Sequence, residues 1–387
     1  MTETSSLSRL TDLQEILCCP RTKSQLSLIN VSELLKRLPE DERSRIPEGT
    51  SGAFVSEASH TAYAIVGRII DFLEQDSLRL SEDGHRPTGV HEQNDSILRS
   101  VKSWYDEFGW QRNESGMYND TAIFSQAALT AHGFYELSSH LSLLDRLYGG
   151  EFVLDAASGP IAHPEKLAYS WFHKYHVCVD ISLTALREAD AKLGAKGLCC
   201  MADICQLPFR DSVFDGVVSA YTVQHVAESR QMTAVAELYR VLKPAGHLCI
   251  VSNVKPSRAH WAMVRILRLL RGIPKASTPP KADAPLERGD LKDPSDDSAA
   301  RLHDLYFCGR DLTWWRSVAQ GLTDSYQLQC MRLFEKEEFE SLFANSMLSA
   351  KIARALESLF PTISARMCRY ILVDLCKPEG SDRPSGS

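Results

Sequence analysis

The sequence predicts a doubly wound α/β fold built on a parallel sheet, preceded by a small α+β accessory domain. Three observations predict it. Five short apolar runs, Phe152–Asp155, His176–Asp180, Leu198–Ala202, Phe214–Ala220 and His247–Ser252, are each bounded by turn or capping residues and read as strands. Helical windows lie between them, and strand, helix, strand at this spacing means parallel pairing through right-handed crossovers. Ahead of this block the composition shifts. Up to about Leu73 short apolar runs alternate with turn residues, and Glu74 to Ser96 is polar with Gly84, Pro87 and Gly89 in it.

The elements follow in order. One helix is expected over Leu183 to Leu193, with Ser182 as its N-cap and Gly194 just past its end. Another is expected over Gln231 to Leu242, closed by Lys243-Pro244-Ala245-Gly246. Gly272 to Ala300 is rich in Pro, Asp, Lys and Ser and reads as a mobile insertion after the fifth strand. Globular composition returns at Leu302, with strands expected at Tyr326–Leu333 and Tyr370–Leu375 and helical segments around Phe339–Phe343 and Ile352–Leu359. The expected organisation is therefore an accessory domain over 1–75, a linker over 76–100 and the α/β domain over 101–387, with its flexible insertion near 272–300.

Bulk properties narrow the function classes. The net charge of −7 opposes a broad nucleic-acid footprint, because phosphate neutralisation needs a clustered positive field. The 11 cysteines include no C-x-x-C pair, and Cys178 and Cys249 sit inside apolar runs, so they read as small buried hydrophobes in a reducing compartment. The opening Met1-Thr2-Glu3-Thr4-Ser5 carries no basic-then-apolar leader, and no later run suits a membrane span; a cytoplasmic location is expected.

Four features in fixed order carry the chemistry. Val153-Leu154-Asp155-Ala156-Ala157-Ser158-Gly159-Pro160 is a strand ending in a carboxylate that passes into a small-residue loop. Small residues let a ligand approach the backbone, and amides at a helix start favour a carboxylate. Val177-Cys178-Val179-Asp180 ends in a second acid able to accept from both hydroxyls of a ribose. Asp203, in Ala202-Asp203-Ile204-Cys205-Gln206-Leu207-Pro208-Phe209, can accept from an exocyclic amino group such as that of adenine. The fourth feature is Phe214-Asp215-Gly216-Val217-Val218-Ser219, leading to Tyr221 and His225 and then to Leu238-Tyr239-Arg240-Val241-Leu242-Lys243-Pro244-Ala245-Gly246.

This run, continuous from about Phe152 to Ser252, closely resembles the class I S-adenosylmethionine-dependent methyltransferases, in particular their type-11 subgroup. The resemblance implies a seven-stranded Rossmann-like methyltransferase sheet whose last strand is antiparallel, with S-adenosyl-L-methionine over the ends of the first two strands. Carried over by position, Asp155, Ala156, Ala157, Ser158 and Gly159 would lie by the methionine part, Asp180 and Ile181 by the ribose, Asp203 and Ile204 by the adenine, and Tyr221 beside the methyl group. Ala157 and Ile161 stand where the family has glycine. An alanine there still permits close approach with a negative φ, and Pro160 would stiffen the turn.

Methyl transfer needs alignment of the nucleophile and exclusion of water, and a base only for a protonated acceptor. His225 and Tyr105, the latter in Trp104-Tyr105-Asp106-Glu107-Phe108-Gly109-Trp110, are the candidate catalytic residues; a hydrogen-bonded structural histidine competes for His225, and sheet-edge packing for the aromatic segment. His163 reads as a helix-start residue. Arg258, Arg265, Arg268 and Arg271 fall among apolar residues on a basic amphipathic helix. It reads as a solvated face in preference to a peripheral membrane contact or a cover for the acceptor. The acceptor is expected to be a small molecule of lipid-like or specialised-metabolite type. The alternatives are an RNA methyltransferase and a non-catalytic methyltransferase-like interaction module.

The N-terminus carries a second resemblance. Ile16-Leu17-Cys18-Cys19-Pro20-Arg21-Thr22-Lys23, with Ala62-Tyr63-Ala64-Ile65-Val66-Gly67-Arg68-Ile69, is similar to the zinc-ribbon-like activator domain of tRNA and protein methyltransferases, broken by a helix-like insertion near 31–45. On that alignment Cys19 is kept, whereas Thr22, Ser56 and Ser59 fill the other three ligand positions. Neutral hydroxyls cannot replace thiolates on structural zinc, so no metal is expected and an apolar core must hold the domain.

Overall fold

The computed structural model describes residues 13–80, 92–124, 130–147, 149–273, 305–344 and 346–380. The chain opens with β1 (Ser27–Asn30), α1 (Val31–Arg37), α2 (Glu40–Arg43), β2 (Thr50–Ser56), β3 (Thr61–Val66), β4 (Ile69–Asp71) and β5 (Leu78–Arg79). Next come α3 (Glu92–Trp104), a π-helical turn (Tyr105–Gly109), α4 (Asn119–Phe124) and α5 (Ala131–Leu141). The central alternation is β6 (Gly150–Ala156), β7 (His173–Asp180), α6 (Leu183–Leu193), β8 (Gly197–Met201), β9 (Phe214–Ala220), α7 (Gln231–Arg240) and β10 (Leu242–Asn253). It closes with α8 (Arg258–Leu270), α9 (Leu312–Leu322), β11 (Tyr326–Arg332), α10 (Lys336–Phe343), α11 (Met347–Leu359), α12 (Pro361–Met367) and β12 (Tyr370–Cys376).

One sheet runs through the molecule in the order β1-β2-β3-β4-β8-β7-β6-β9-β10-β12-β11, with β5 beside β3. A seven-stranded sheet beside a separate accessory domain is expected; the sheet instead runs on without a break, and the seven strands from β8 to β11 are one part of it. β6 through β10 pair in parallel, and β12 lies antiparallel between β10 and β11. The order reverses between β6 and β9, because β7 and β8 extend the sheet to one side of β6 and β9 and β10 to the other. In doubly wound sheets such a divergence marks where a ligand crevice forms, at the carboxyl ends of the strands.

Local rules account for the element ends. Ser182 caps α6 by accepting from the Ala185 amide, and Gly194 ends it with φ +56°. Helix α7 stops at Arg240 and not Leu242, because Leu242 already pairs with Phe214 of β9. The strands extend one to five residues beyond the apolar runs at several ends, since hydrogen bonding continues where hydrophobicity stops. The interval expected as a linker over 76–100 differs more. It contains β5, paired with β3, and the first nine residues of α3, whose Ile97, Val101 and Trp104 pack as one helical face. The expected insertion lies outside the described residues from 274 onward.

The first eighty residues bury a small apolar cluster of their own, Leu34, Leu38, Ala53, Val55, Ala62 and Leu78, but they are also joined to the main sheet and its core. Strand β4 pairs in parallel with β8 through Ile69↔Cys199, Ile70↔Cys200 and Asp71↔Met201. The Cys18 amide donates to the Pro208 carbonyl at 3.0 Å, and Leu17, Phe54 and Ile65 belong to the same apolar cluster as Leu154, Val177 and Phe209. The four positions aligned with metal ligands meet in space. The Cys19 thiol lies 3.5 Å from the Ser59 hydroxyl and 3.3 Å from that of Tyr63, while Ser24 bridges Thr22 at 2.8 Å and Ser56 at 3.1 Å. Hydrogen bonds fill the space between them. Burial pushes the Cys19 thiol up, but hydrogen bonds from Thr22, Tyr63 and Ser59 outweigh it and bring the pKa down to about 7.

Candidate active site

The loop after β6 takes the backbone shape that glycine usually supplies, with other residues in it. Ala157 has φ +61°, Gly159 +57° and Ile161 +50°, so the condition of a negative φ, under which an alanine would permit close approach, is not met at Ala157. Left-handed backbone costs an L-residue about 1–2 kcal/mol, and it persists only where the surroundings over-determine it. Here they do. The Val179 carbonyl accepts from the Ala157 amide at 2.7 Å and the Ser158 amide at 3.1 Å, and Asp180 Oδ2 accepts from the Gly159 amide at 2.9 Å. Lys192 of α6 donates to the carbonyls of Pro160 and Ile161, at 2.6 and 3.0 Å. The Ile161 side chain is buried against Cys178 and Leu186.

The predicted cofactor residues gather along three adjacent strand ends. Asp155 pairs across to Cys178, and Asp180 to Met201. Asp180 is buried, and its second oxygen accepts from the Ser182 amide at 2.9 Å. Burial drives its pKa up to about 6, with the Asp106 charge adding to the rise. Asp155 is fully buried, and neither of its oxygens meets a hydrogen-bond donor among the described residues. His176 Nε2 stands 3.9 Å away. Asp203 is engaged differently from the expectation, since Arg230 holds one oxygen at 2.7 Å and the Cys205 amide the other at 2.8 Å. Ala156 and Ile204 are buried in the main core, Ser158 is buried beside Gly159, and Ile181 packs under the aromatic segment.

That segment lies on the loop. The ring of Trp110 covers Gly159 so closely that a Cβ there would come within 2.7 Å of it. Tyr105 stacks on Trp110 with centroids 4.9 Å apart, and Gly109 is required because a Cβ would strike the Trp104 ring at 2.6 Å. Asp106 ties the segment down by accepting from the Ser182 hydroxyl beside Asp180. His225 and Tyr105, the two candidate catalytic residues, do come together, edge to face at 6.2 Å. His225 Nδ1 donates to the Tyr306 carbonyl at 2.8 Å, which fixes its orientation.

A second cluster, on the α5 side of the sheet, joins Tyr221 and His163, which the sequence singles out, to His140, Glu136 and Arg332, which it does not. Tyr221, with φ +60°, points its hydroxyl toward His140 Nε2 at 3.2 Å and receives Arg332 Nη2 at 2.9 Å. Arg332 is buried, paired with Glu136 at 3.3 Å and laid over the Tyr370 ring at 4.0 Å. His163 stacks on His140 with centroids 6.3 Å apart, and it does precede a helical turn, Pro164–Ser170. Burial holds His140 well below the usual histidine range and His163 at about 4, with Arg332 and Lys166 adding to both. Both rings are therefore neutral at pH 7. The hydroxyl of Tyr221 accepts from Arg332 and so directs its own proton to His140 Nε2. On that assignment His140 Nδ1 carries a hydrogen, and it has no partner among the described residues. One signal was available: His132, Glu136 and His140 recur every four residues on α5, a polar stripe that the fold buries.

The family described as "Methyltransferase domain" matches residues 154–250, the block from β6 to β10 that carries these strand ends. That block is a methyltransferase domain of the S-adenosylmethionine-dependent kind. Its relatives include the demethylmenaquinone methyltransferase of Mycobacterium tuberculosis, 29% identical over 181 residues, 46% of this chain and 74% of that one. The demethylmenaquinone methyltransferase of Corynebacterium urealyticum is 35% identical over 125 residues, 32% of this chain and 51% of its own. Among solved structures, phosphoethanolamine N-methyltransferase 2 of Haemonchus contortus with S-adenosyl-L-methionine aligns with a TM-score of 0.44 at 16% identity, covering 72% of this chain and 60% of that enzyme. The matched block spans β6 to β10 of the sheet, while α5, β11 and α11, outside it, bring the buried His140 cluster beside it.

Proposed function

We propose that the enzyme methylates a small, oxygen-bearing acceptor held against His140, His163, Tyr221 and Arg332, with the cofactor over the ends of β6 and β7. The observation that carries the acceptor assignment is the buried, unmatched Nδ1 hydrogen of His140, a donor whose desolvation costs about 1–3 kcal/mol unless a ligand oxygen meets it. The cofactor fits the other half of the crevice. Asp155 offers two buried oxygens without donors, suited to an ammonium such as that of the methionine part, and Asp180 offers a carboxylate at the next strand end.

Bound S-adenosyl-L-methionine supplies a methyl group activated by its sulfonium. The chain's own work is to position and to handle a proton. Arg332 and Lys166 place cations on this side of the crevice, with Glu136 and Glu165 beside them, so that an oxygen developing negative charge meets a donor as well as a counter-charge. His163, neutral and partly open, can accept a hydrogen bond from an acceptor hydroxyl whose proton passes to solvent as the methyl arrives, and the imidazole of His140 orients the oxygen. Trp110 and Tyr105 close over the loop and exclude water. A lipid-like or specialised metabolite suits such a crevice better than structured RNA, since the chain as a whole is acidic.

The test is methyl uptake from labelled S-adenosyl-L-methionine into a protein-free and RNA-free metabolite extract. Label is expected in a small product, with Tyr221→Phe and His163→Ala each lowering the rate at least tenfold and cofactor affinity unchanged. Label entering only RNA, or rates insensitive to both substitutions, would overturn the reading.

A further inference from the structure

Among the described residues no helix is long and apolar enough to cross a membrane. Two helices nonetheless carry their apolar residues on the wrong side. Helix α11 buries Ala350, Ala353 and Glu357 and exposes Leu348, Ile352, Leu356 and Leu359, which recur at i, i+4, i+8 and i+11 as one continuous stripe. Leu348 and Leu359 are 68% and 71% exposed. Helix α12 repeats the inversion, burying Ser364 and Ala365 while Ile363 is exposed. Helix α8, which packs against α12, adds Ile266, Leu269 and Leu270.

The inversion is built in. Glu357 points inward, where it accepts from the Tyr135 hydroxyl and from the Leu333 amide at 2.9 Å, and Arg354 pairs with it at 2.6 Å. That anchor fixes which face of α11 meets α5, and so leaves the leucines outside. Charge says what could cover them. Segments 258–271 and 346–367 contain one acid, the buried Glu357. They carry six cations, Arg258, Arg265, Arg268, Arg271, Lys351 and Arg366, that form no ion pair among the described residues.

We infer that α8, α11 and α12 form a peripheral docking face for an anionic lipid surface. Exposed apolar side chains ringed by cations, without acids, match an interface in which leucines enter the acyl boundary and arginines meet phosphates. A second copy of this chain is a poorer occupant, because a two-fold contact would set like cations against each other. Residues 274–304 are a poorer cover as well, with three leucines, Leu286, Leu291 and Leu302, in 31 positions. The face does not depend on the acceptor's identity. It lies on the cap formed by α5 and α11, so a docked molecule would hold its crevice near the bilayer.

The experiment is co-sedimentation of the full chain with vesicles of equimolar phosphatidylglycerol and phosphatidylcholine, and with phosphatidylcholine alone. Binding to the anionic vesicles only, weakening as salt rises, is expected. Leu348→Ser with Leu359→Ser, and separately Arg265→Gln with Lys351→Gln, should each reduce the partition coefficient by about tenfold or more. Unchanged binding of S-adenosyl-L-methionine shows that the variants fold, and the surface charge pair keeps the test open should the leucine pair misfold. Failure to sediment with anionic vesicles, equal binding to neutral ones, or a dimer in ultracentrifugation that the leucine pair dissociates would overturn the inference.

Discussion

Two substitutions in the cofactor loop should move stability in opposite directions. Ala157→Gly relieves left-handed strain of about 1–2 kcal/mol at φ +61°. Against this, glycine loosens the unfolded chain by about 0.4–1 kcal/mol, and loss of a half-buried methyl costs about 0.4 kcal/mol more. The balance is a small gain of about 0.5 kcal/mol. Gly159→Ala adds the same strain at φ +57° and sets a Cβ 2.7 Å from the Trp110 ring, an overpacking cost of about 1–3 kcal/mol. Its net effect is a loss of about 2 kcal/mol. Urea unfolding followed by circular dichroism separates the two by about 2–3 kcal/mol, with unchanged slopes. The reasoning fails if Ala157→Gly is clearly destabilising, or if both substitutions shift the midpoint in the same direction.

Cofactor affinity should be flat above pH 7 and weaken about tenfold per unit below pH 6 as Asp180, raised by burial to about 6, takes up its proton; calorimetry across that range decides it, and a pH-independent Kd would remove Asp180 from the site. Folding responds in the opposite sense, because a carboxyl whose folded pKa is raised favours the folded state at low pH and loses that contribution as pH rises through 6. Arg332→Met should cost about 3–5 kcal/mol by removing the cation that faces the buried Glu136, and adding Glu136→Gln should recover most of it, as urea midpoints will report. Chelator treatment should leave the melting temperature unchanged, since Thr22, Ser56 and Ser59 offer hydroxyls where thiolates would be needed; a fall of several degrees would show a metal at work.

Much of the fold was legible because the central block is locally consistent. Runs such as Val177–Asp180 are apolar enough to be strands in any context, and Ser182 and Gly194 mark the ends of α6 by rules that need no tertiary information. The loop conformation was not legible. Alanine at 157 argues for negative φ on its own, and only the bonds from Val179, Asp180 and Lys192 force the opposite. Asp203 was read as free because Arg230, 27 residues away, carries no local sign of reaching it. The His140 cluster was hidden for a related reason: α5 has a polar stripe that reads as solvent-facing, and Arg332 and Tyr370 arrive from about 190 and 230 positions downstream. Burial there is set by how α11 and β11 dock.

The pairing of β4 with β8 has a consequence for handling the protein. Without the first eighty residues, β8 would become a bare edge, presenting Cys199, Cys200 and Met201 with unpaired amides and carbonyls, a template for strand addition by other chains. The N-terminal unit therefore acts as a guard against aggregation, and a shortened form that begins near residue 92 would collect in inclusion bodies before its catalytic competence could be asked about.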